Sequence, residues 1–355
     1  MAARAEDKRL KDLRDKGADI YSISRLNALH QCKHQAFLNY IMGEKQKSNI
    51  WACAGSIIHD KLEACILGKG TTEDLRKAID EELENFELLD IDFPLDRNGN
   101  PTVRNNWIAN MTRFAEEFKP WAGNFETEQL IILPINDHAV MQGYIDVIQH
   151  NDDGTVDILD WKTSSQFTGD HLIEAGRQLA LYAMALEHEG ITVRSVKWVM
   201  LKYYEASWKL KNGNLKTKVG EWRNLVSDLS SIIEKRLLEL GKDEFEVEAI
   251  MNEARKTNQI PSELTQWINV TPYIREYELT DEVRKETMKY IEDSIAEYEK
   301  LVDGIEVWWS PCDCKTNSYF CANLCGYGGK TGRCKYWVDY CDTFEKKSDD
   351  DEDLF

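Results

Sequence analysis

The chain has 355 residues, of which 42% are hydrophobic and 10% aromatic, a composition that excludes a wholly disordered protein. Neither a run of 18 apolar residues nor a secretory signal occurs, and residues 1–17 are polar and charged, so we expect a cytoplasmic protein with no membrane span. The net charge of −19 does not exclude a nucleic-acid ligand, because global charge says little about one cleft.

The predicted elements change in character along the chain. Helical apolar spacing is found first, at 5–16, 24–42 (capped by Ser22 or Ser24), 52–67, 72–89 and 105–119, with a loop at 93–103. Strand-like runs follow at 128–135, 139–150 and 155–162, the last two joined by the turn NDDG. A helix at 169–188, a buried strand at 193–204 and amphipathic helices at 218–240 and 281–303 complete the pattern. This order predicts an α/β sheet inside a helical shell.

The predicted hairpin at 139–162 carries charged residues among apolar ones. Asp160 and Lys162 are two residues apart and so point to the same face, whereas Trp161 points to the other. Pairing around the turn brings Asp146 close to Asp160. Neighbouring carboxylates repel each other unless a cation lies between them, and Mg²⁺ prefers such oxygen ligands. The pattern indicates a metal site with a lysine beside it, and an exposed ion pair on a surface hairpin is the alternative.

Four motifs resemble those of a known family. GYIDVI (143–148) followed by ILDWKTS (158–164) resembles the core of the PD-(D/E)XK nuclease superfamily, an acidic residue on one strand and D-x-K on its partner. GSIIHDKLEA (55–64) and RQLALYAMAL (177–186) resemble the G-x-x-x-H and Q-x-x-x-Y helices of its RecB-like branch. That branch includes the AddAB-type and CRISPR-associated RecB-like iron–sulfur nucleases, and the chain is similar to a stand-alone phage or prokaryotic member.

The resemblance implies a restriction-endonuclease-like core, with a mixed central sheet flanked by helices, and a divalent metal, Mg²⁺ or Mn²⁺. The metal ligands implied are His59, Asp146 and Asp160, and the other catalytic residues are Lys162, Gln178 and Tyr182. Each residue also has a structural alternative, since a lone histidine on an apolar helix usually belongs to the core.

The function that follows is a metal-dependent DNA nuclease, acting as a single-strand DNA exonuclease in recombination, repair or replication. The alternatives are a catalytically silent DNA-binding or scaffold protein of the same fold, and an RNA nuclease. The host would be a bacterial cell, infected by a phage if the gene is viral.

Nine cysteines are unevenly distributed, with six of them between 312 and 341. Such crowding without an export signal favours metal or cluster ligation over disulfides. In iron–sulfur members of the branch, one early cysteine and three near the C-terminus hold a [4Fe–4S] cluster. The ligands implied here are Cys32, Cys321, Cys325 and Cys334, with Cys312, Cys314 and Cys341 as alternates. A zinc ion held by four local cysteines is the alternative, and Cys53 and Cys65 are expected to be core thiols.

These features divide the chain into four expected parts. They are a charged N-terminal helix at 1–20, a nuclease domain at 21–305 with its catalytic core at about 52–204, a cysteine-rich region at 306–345 that closes onto Cys32, and a disordered acidic tail at 346–355. The tail segment Asp349 to Phe355 is an inert solvated end, a docking site for a replication or recombination protein, or a shield for the chain's own DNA channel.

Overall fold

The computed structural model describes residues 7–306 and 308–352. Seven strands form one mixed sheet, in which β1, β3, β4, β5 and β6 are successive neighbours, β2 pairs with β3, and β7 pairs with β5. The β1–β3 and β4–β5 pairs are parallel and the other pairs are antiparallel. The strands are β1 (Asp19–Ser22), β2 (Asn124–Pro134), β3 (Ala139–His150), β4 (Val156–Lys162), β5 (Val193–Lys209), β6 (Leu215–Glu221) and β7 (Asn269–Tyr277).

Helices cover both faces of the sheet, which confirms the predicted mixed α/β fold with a central sheet. One apolar cluster packs α4 (Ile50–Ile66), α5 (Thr72–Leu88), α6 (Thr102–Glu117), α8 (Leu225–Glu239) and α9 (Glu244–Thr257) against one face. The other cluster packs α2 (Ile23–Gln31), α7 (Asp170–His188) and α10 (Asp281–Val302) against the opposite face. The remaining helices are α1 (Lys8–Asp15), α3 (Lys33–Ala36), α11 (Ser318–Asn323) and α12 (Lys335–Glu352).

The central hairpin forms as the alternating pattern predicts. In the NDDG turn, the Gly154 N–H donates to the Asn151 carbonyl, and Gly154 takes a φ of 81°, which favours glycine. The chain returns in register, with Val147 opposite Leu159 and His150 opposite Val156. This register places the two strand aspartates across from each other.

Two sequence predictions differ from the structure. The helix predicted at 218–240 begins only at Leu225, because residues 215–221 form β6 at the edge of the sheet, where exposed lysines are tolerated. The helix predicted at 24–42, correctly capped by Ser22, is interrupted at Cys32, whose backbone is extended, and ends in a π-helix at Phe37–Ile41. The interruption coincides with a long-range contact, since the Cys32 thiolate or thiol accepts the N–H of Cys312 at 3.3 Å.

The C-terminal region packs on the segment that connects the π-helix to α4. Tyr327 Oη donates to the Glu44 carbonyl at 2.6 Å, and the Arg333 guanidinium pairs with the Glu44 carboxylate at 2.8 Å. The Lys47 N–H donates to the Gly326 carbonyl, where an added Cβ would lie 2.4 Å from the Lys47 carbonyl oxygen. A glycine at 326 therefore permits this close backbone approach.

Of the expected acidic tail, α12 carries the backbone through Glu352, and residues 353–355 lie outside the described part of the chain. Among the described helices, none combines the length and apolar character needed to cross a bilayer.

Candidate active site

The two hairpin aspartates lie side by side in the interior. Asp146 is 9% exposed and Asp160 2%, and the β3–β4 register places them opposite each other, one step beyond the Val147–Leu159 pair. The Trp161 N–H donates to Asp146 Oδ2 at 2.8 Å, which fixes the orientation of that carboxylate. The predicted proximity of the two carboxylates is confirmed.

Lys162 connects the hairpin to α7. Its Nζ lies 2.6 Å from Asp160 Oδ2 and donates to Gln178 Oε1 at 3.1 Å. Gln178 Nε2 in turn donates to Tyr182 Oη at 2.7 Å, one helical turn further along. The structure thus brings the two predicted α7 residues into one hydrogen-bonded chain with the lysine.

His59 approaches the aspartates from α4, on the other side. Its Nδ1 lies 3.5 Å from Asp146 Oδ2, and its ring packs edge-on against Trp161 with centroids 5.6 Å apart. One turn later, Glu63 Oε1 accepts a hydrogen bond from Thr127 Oγ1 at 3.0 Å, which ties α4 to β2. His59 is therefore neither a surface nor a purely apolar core residue, because its imidazole faces a carboxylate.

Burial and mutual charge separate the pKa values of the two aspartates. Burial raises the pKa of Asp160 to about 6, and the nearby Asp146 charge adds to this effect. Burial acts the same way on Asp146, but the hydrogen bond and positive charge of His59 prevail, and the pKa of Asp146 is lowered. For His59, the effect of burial is outweighed by Asp146, and its pKa is raised. The contact between His59 and Asp146 thus favours the charged forms of both side chains.

The sequence of this site is that of a recognised family. The PD-(D/E)XK nuclease superfamily model matches residues 20–304, most of the chain, and contains all the residues described above. The chain belongs to the PD-(D/E)XK nuclease superfamily. No curated protein matches the chain. A solved structure titled "Crystal structure of SSO0001" is 14% identical over 60% of this chain and 74% of that chain, with a TM-score of 0.23, which is too low to carry an argument.

Members of this superfamily are generally metal-dependent phosphodiesterases. The cations that they use, Mg²⁺ or Mn²⁺, prefer oxygen ligands such as carboxylates. Asp160 Oδ2 is buried, and its polar neighbour among the described residues is the Lys162 ammonium at 2.6 Å. A buried carboxylate oxygen in that state is a suitable ligand for a hard cation. In the described residues, no three His, Cys, Asp or Glu side chains are already spaced around a common point. The ligand types therefore fit a divalent cation, and the side chains are paired with one another.

One carboxylate near this site was not anticipated from the sequence. Glu128 has a left-handed backbone, with a φ of 54°, and it is the residue of β2 that lies across from Asp146 and is skipped by the pairing. Burial, followed by the charges of Asp160 and Asp146, raises the pKa of Tyr182 well above its usual value, and Glu128 contributes in the same direction. Such a backbone is unusual for glutamate, and no motif in the sequence signals it.

A second constellation joins the early cysteine to the C-terminal region. Cys32 Sγ accepts from the Cys312 N–H, Cys312 Sγ and Cys321 Sγ are 3.6 Å apart, and Cys314 Sγ lies 3.9 Å from Cys321 Sγ. The hydrogen bond from the Cys312 thiol lowers the pKa of Cys32 to about 6. The structure thus brings together two of the four expected cluster ligands, Cys32 and Cys321, with two of the three alternates, Cys312 and Cys314.

The other three C-terminal cysteines are further from this contact set. Burial raises the pKa of Cys325, and the charges of Cys32 and Cys334 raise it further, so these residues lie in the same neighbourhood. Cys341 is half-buried on α12. Thiols are the ligands of both iron–sulfur clusters and structural zinc, so the chemistry of the region fits either group.

Proposed function

We propose that the chain hydrolyses phosphodiester bonds of DNA with the aid of Mg²⁺ or Mn²⁺, and that it degrades single strands from an end during recombination, repair or replication. The observation that carries the proposal is the position of the Lys162 ammonium, in contact with both the buried Asp160 carboxylate and the Gln178 amide. A lysine held there by two elements is poised beside a carboxylate pair instead of extending into solvent.

The residues that would hold the cation are His59, Asp146 and Asp160. When bound, such a cation supplies charge stabilisation and an acidified water. The Lys162 ammonium points toward the same carboxylates. There it would orient a nucleophile or stabilise charge on a phosphate oxygen. Gln178 keeps the ammonium at that position, and Tyr182 fixes the rotamer of the Gln178 amide through its hydroxyl.

We propose that the chain belongs to the RecB-like branch because His59 of α4 lies beside Asp146 and Gln178 of α7 lies beside Lys162, on the same hairpin. The thiol constellation supports the same placement, and we propose that it holds a [4Fe–4S] cluster through Cys32 and three C-terminal cysteines. Cys321, Cys325 and Cys334 are the ligands implied by resemblance, and Cys312 and Cys314 are the alternates closest to Cys32 and Cys321. The colour and metal content of anaerobically purified protein separate this cluster from zinc.

The proposed organisation is a nuclease domain at 21–305 preceded by a charged helix, a cluster region at 306–345, and an acidic tail at 346–355. The tail would dock a replication or recombination protein. Removing residues 348–355 should then abolish that protein's capture, and an unchanged capture would leave the tail without this role.

The test is cleavage of labelled single- and double-stranded DNA and RNA in Mg²⁺, Mn²⁺ or EDTA. Loss of one preorganised donor costs about 10²–10³ in rate, so Lys162→Ala should lower DNA cleavage by roughly that factor. The matched control is Lys197→Ala, because Lys197 also pairs with a buried aspartate, Asp157, on the same sheet but away from the carboxylate pair. A Lys162→Ala protein that cuts as well as the parent contradicts the assignment. Binding without cleavage indicates a silent scaffold, and cleavage of RNA alone indicates a ribonuclease.

A further inference from the structure

A polar cleft of about 750 Å³ lies between α2, the start of α4, the N-terminal half of α7 and α11. The catalytic chain of Lys162, Gln178 and Tyr182 does not contribute side chains to it. Amide side chains dominate its lining: Asn27, Gln31, Gln35, Asn39, Gln46 and Asn49. A cavity of this size holds a drug-sized molecule or a short stretch of polymer.

Four of these amides recur every fourth residue, at 27, 31, 35 and 39, and all four line the cleft although the helix is interrupted at Cys32. One end of three of them is held by another side chain: Asn27 by the Tyr290 hydroxyl at 2.7 Å, Gln31 by Asn317 at 3.1 Å, and Gln35 by Gln46 at 3.3 Å. Side chains oriented in this way lose little freedom when a ligand binds to their other end. The row is therefore a preorganised set of hydrogen-bonding groups.

The lysine and the arginine that line the cleft are already paired with carboxylates, and the third charged residue of the lining, Glu174, is itself an anion. Lys47 Nζ lies 3.2 Å from Asp90 Oδ2, and the Arg177 guanidinium lies 2.6 Å from the Glu286 carboxylate. Since binding to a nucleic-acid backbone depends on cations that neutralise phosphates, this lining is poorly suited to the backbone of a duplex. Asparagine and glutamine instead pair with the edges of bases, which are accessible in a single strand.

Aromatic rings complete this chemistry. Tyr40, Tyr290 and Phe320 line the cleft. The Tyr290 ring already contacts the Arg177 guanidinium at 3.9 Å and the His30 ring at 5.2 Å, and Arg25 lies 5.3 Å from the Tyr40 ring. Phe320 is therefore the lining ring that we expect to stack with a base. Every base has a face that stacks on such rings, so aromatic side chains bind single strands with little sequence preference. Amides and aromatics together match an unpaired base better than a phosphate.

Two helices connect the cleft to the catalytic residues. Ala52 lines the cleft and His59 lies seven residues later on the same face of α4, which corresponds to about 10 Å along the helix axis. On α7, Arg177 lines the cleft and the next residue, Gln178, contacts Lys162. A distance of about 10 Å corresponds to roughly three nucleotides of a stacked strand at 3.4 Å each, and to fewer nucleotides of an unstacked one.

We infer that this amide-lined cleft binds unpaired bases of a single DNA strand, about three nucleotides from the phosphate at the carboxylate pair. The inference rests on the proposed function and adds to it the group by which the strand is recognised. Strand selection then comes from base edges that a duplex does not present, and the contribution of the cleft to affinity depends little on salt.

The test measures binding in the Lys162→Ala background in EDTA, so that it is independent of cleavage. A fluorescent 12-nucleotide DNA and its duplex are titrated against this protein, against the same protein with Gln31→Ala and Gln35→Ala, and against one with Asn85→Ala and Asn105→Ala. The last pair also removes two exposed helical amides, from α5 and α6, away from the cleft. Thermal melting of each protein verifies that it is folded.

Loss of two hydrogen bonds should weaken single-strand binding roughly tenfold in the cleft variant and leave the control unchanged. The slope of log affinity against log salt should stay the same, whereas each lost phosphate contact would reduce it by about 0.7. Unchanged single-strand binding, an equal loss for duplex, or a reduced salt slope overturns the inference. If the cleft binds single strands in this way but the parent protein, with Lys162 intact, fails to cut DNA, the nuclease proposal is refuted and the cleft remains a binding site.

Discussion

Asp160→Asn is expected to stabilise the fold while it abolishes activity. Burial raises the pKa of Asp160 from 3.8 to about 6, so ionisation of this group at pH 7 costs the folded state about 3 kcal/mol. The neutral amide removes this cost, which already includes the repulsion from Asp146 and the attraction of Lys162. The gain in the free energy of unfolding is therefore about 3 kcal/mol at pH 7.

The stability of the parent protein should fall as the pH rises through the range in which Asp160 ionises. Because the folded pKa is above the unfolded value, the penalty is absent below about pH 3.8 and complete once the pH has risen past 6. Roughly 1 kcal/mol of it develops between pH 5 and pH 7. The parent should lose that stability across this interval in EDTA, and Asp160→Asn should not.

Urea unfolding at pH 5 and pH 7 measures both effects, with Asp157→Asn as the control. Asp157 is also buried on β4, but hydrogen bonds from Arg194 and Ser195 outweigh burial and lower its pKa to about 2. Its substitution should destabilise the fold equally at both pH values, because its folded and unfolded pKa values lie below pH 5. The reasoning is refuted if Asp160→Asn is less stable than the parent at pH 7 or keeps the parent's pH dependence.

Three further outcomes are expected. Gly143→Ala places a Cβ 2.7 Å from Tyr182 Cε1. This substitution should lower the free energy of unfolding in urea by about 1–3 kcal/mol and should slow DNA cleavage. Wild-type values for both measurements would contradict the packing. Tyr182→Phe removes the hydroxyl that accepts from Gln178 and should slow cleavage about tenfold with little change in KM, and an unchanged rate would exclude a positioning role. Cys32→Ser should lower the bound iron or zinc measured by elemental analysis, whereas Cys65→Ser, on α4, should not.

The sequence predicted the geometry of the hairpin that carries Asp146, Asp160 and Lys162 because its alternation and its turn are both local. Asp160 and Lys162 share a face through the two-residue period, and Gln178 and Tyr182 share a face through the four-residue spacing. Their convergence required only that the two strands pair across a recognisable turn.

Other features depend on contacts distant in sequence. Residues 218–221 have helical apolar spacing, yet they pair with the second half of β5, which extends to Lys209. The interruption at Cys32 accompanies a contact with Cys312, 280 residues away. The amide row is visible in the sequence at a spacing of four, but its partners at Tyr290 and Asn317 are not, so its orientation could not be inferred.

The contacts between residues 324–333 and the 43–49 segment have a consequence for how the chain could be shortened. A fragment ending near 305 would retain every strand and the carboxylate pair, but it would lose α11 and the Tyr327 and Arg333 contacts to Glu44. One wall of the amide-lined cleft would go with it, because Phe320 and Leu324 belong to that wall. Truncation would thus separate phosphodiester hydrolysis from binding of the strand. In the full chain, the contacts between residues 43–49 and 324–333 keep the two sites together.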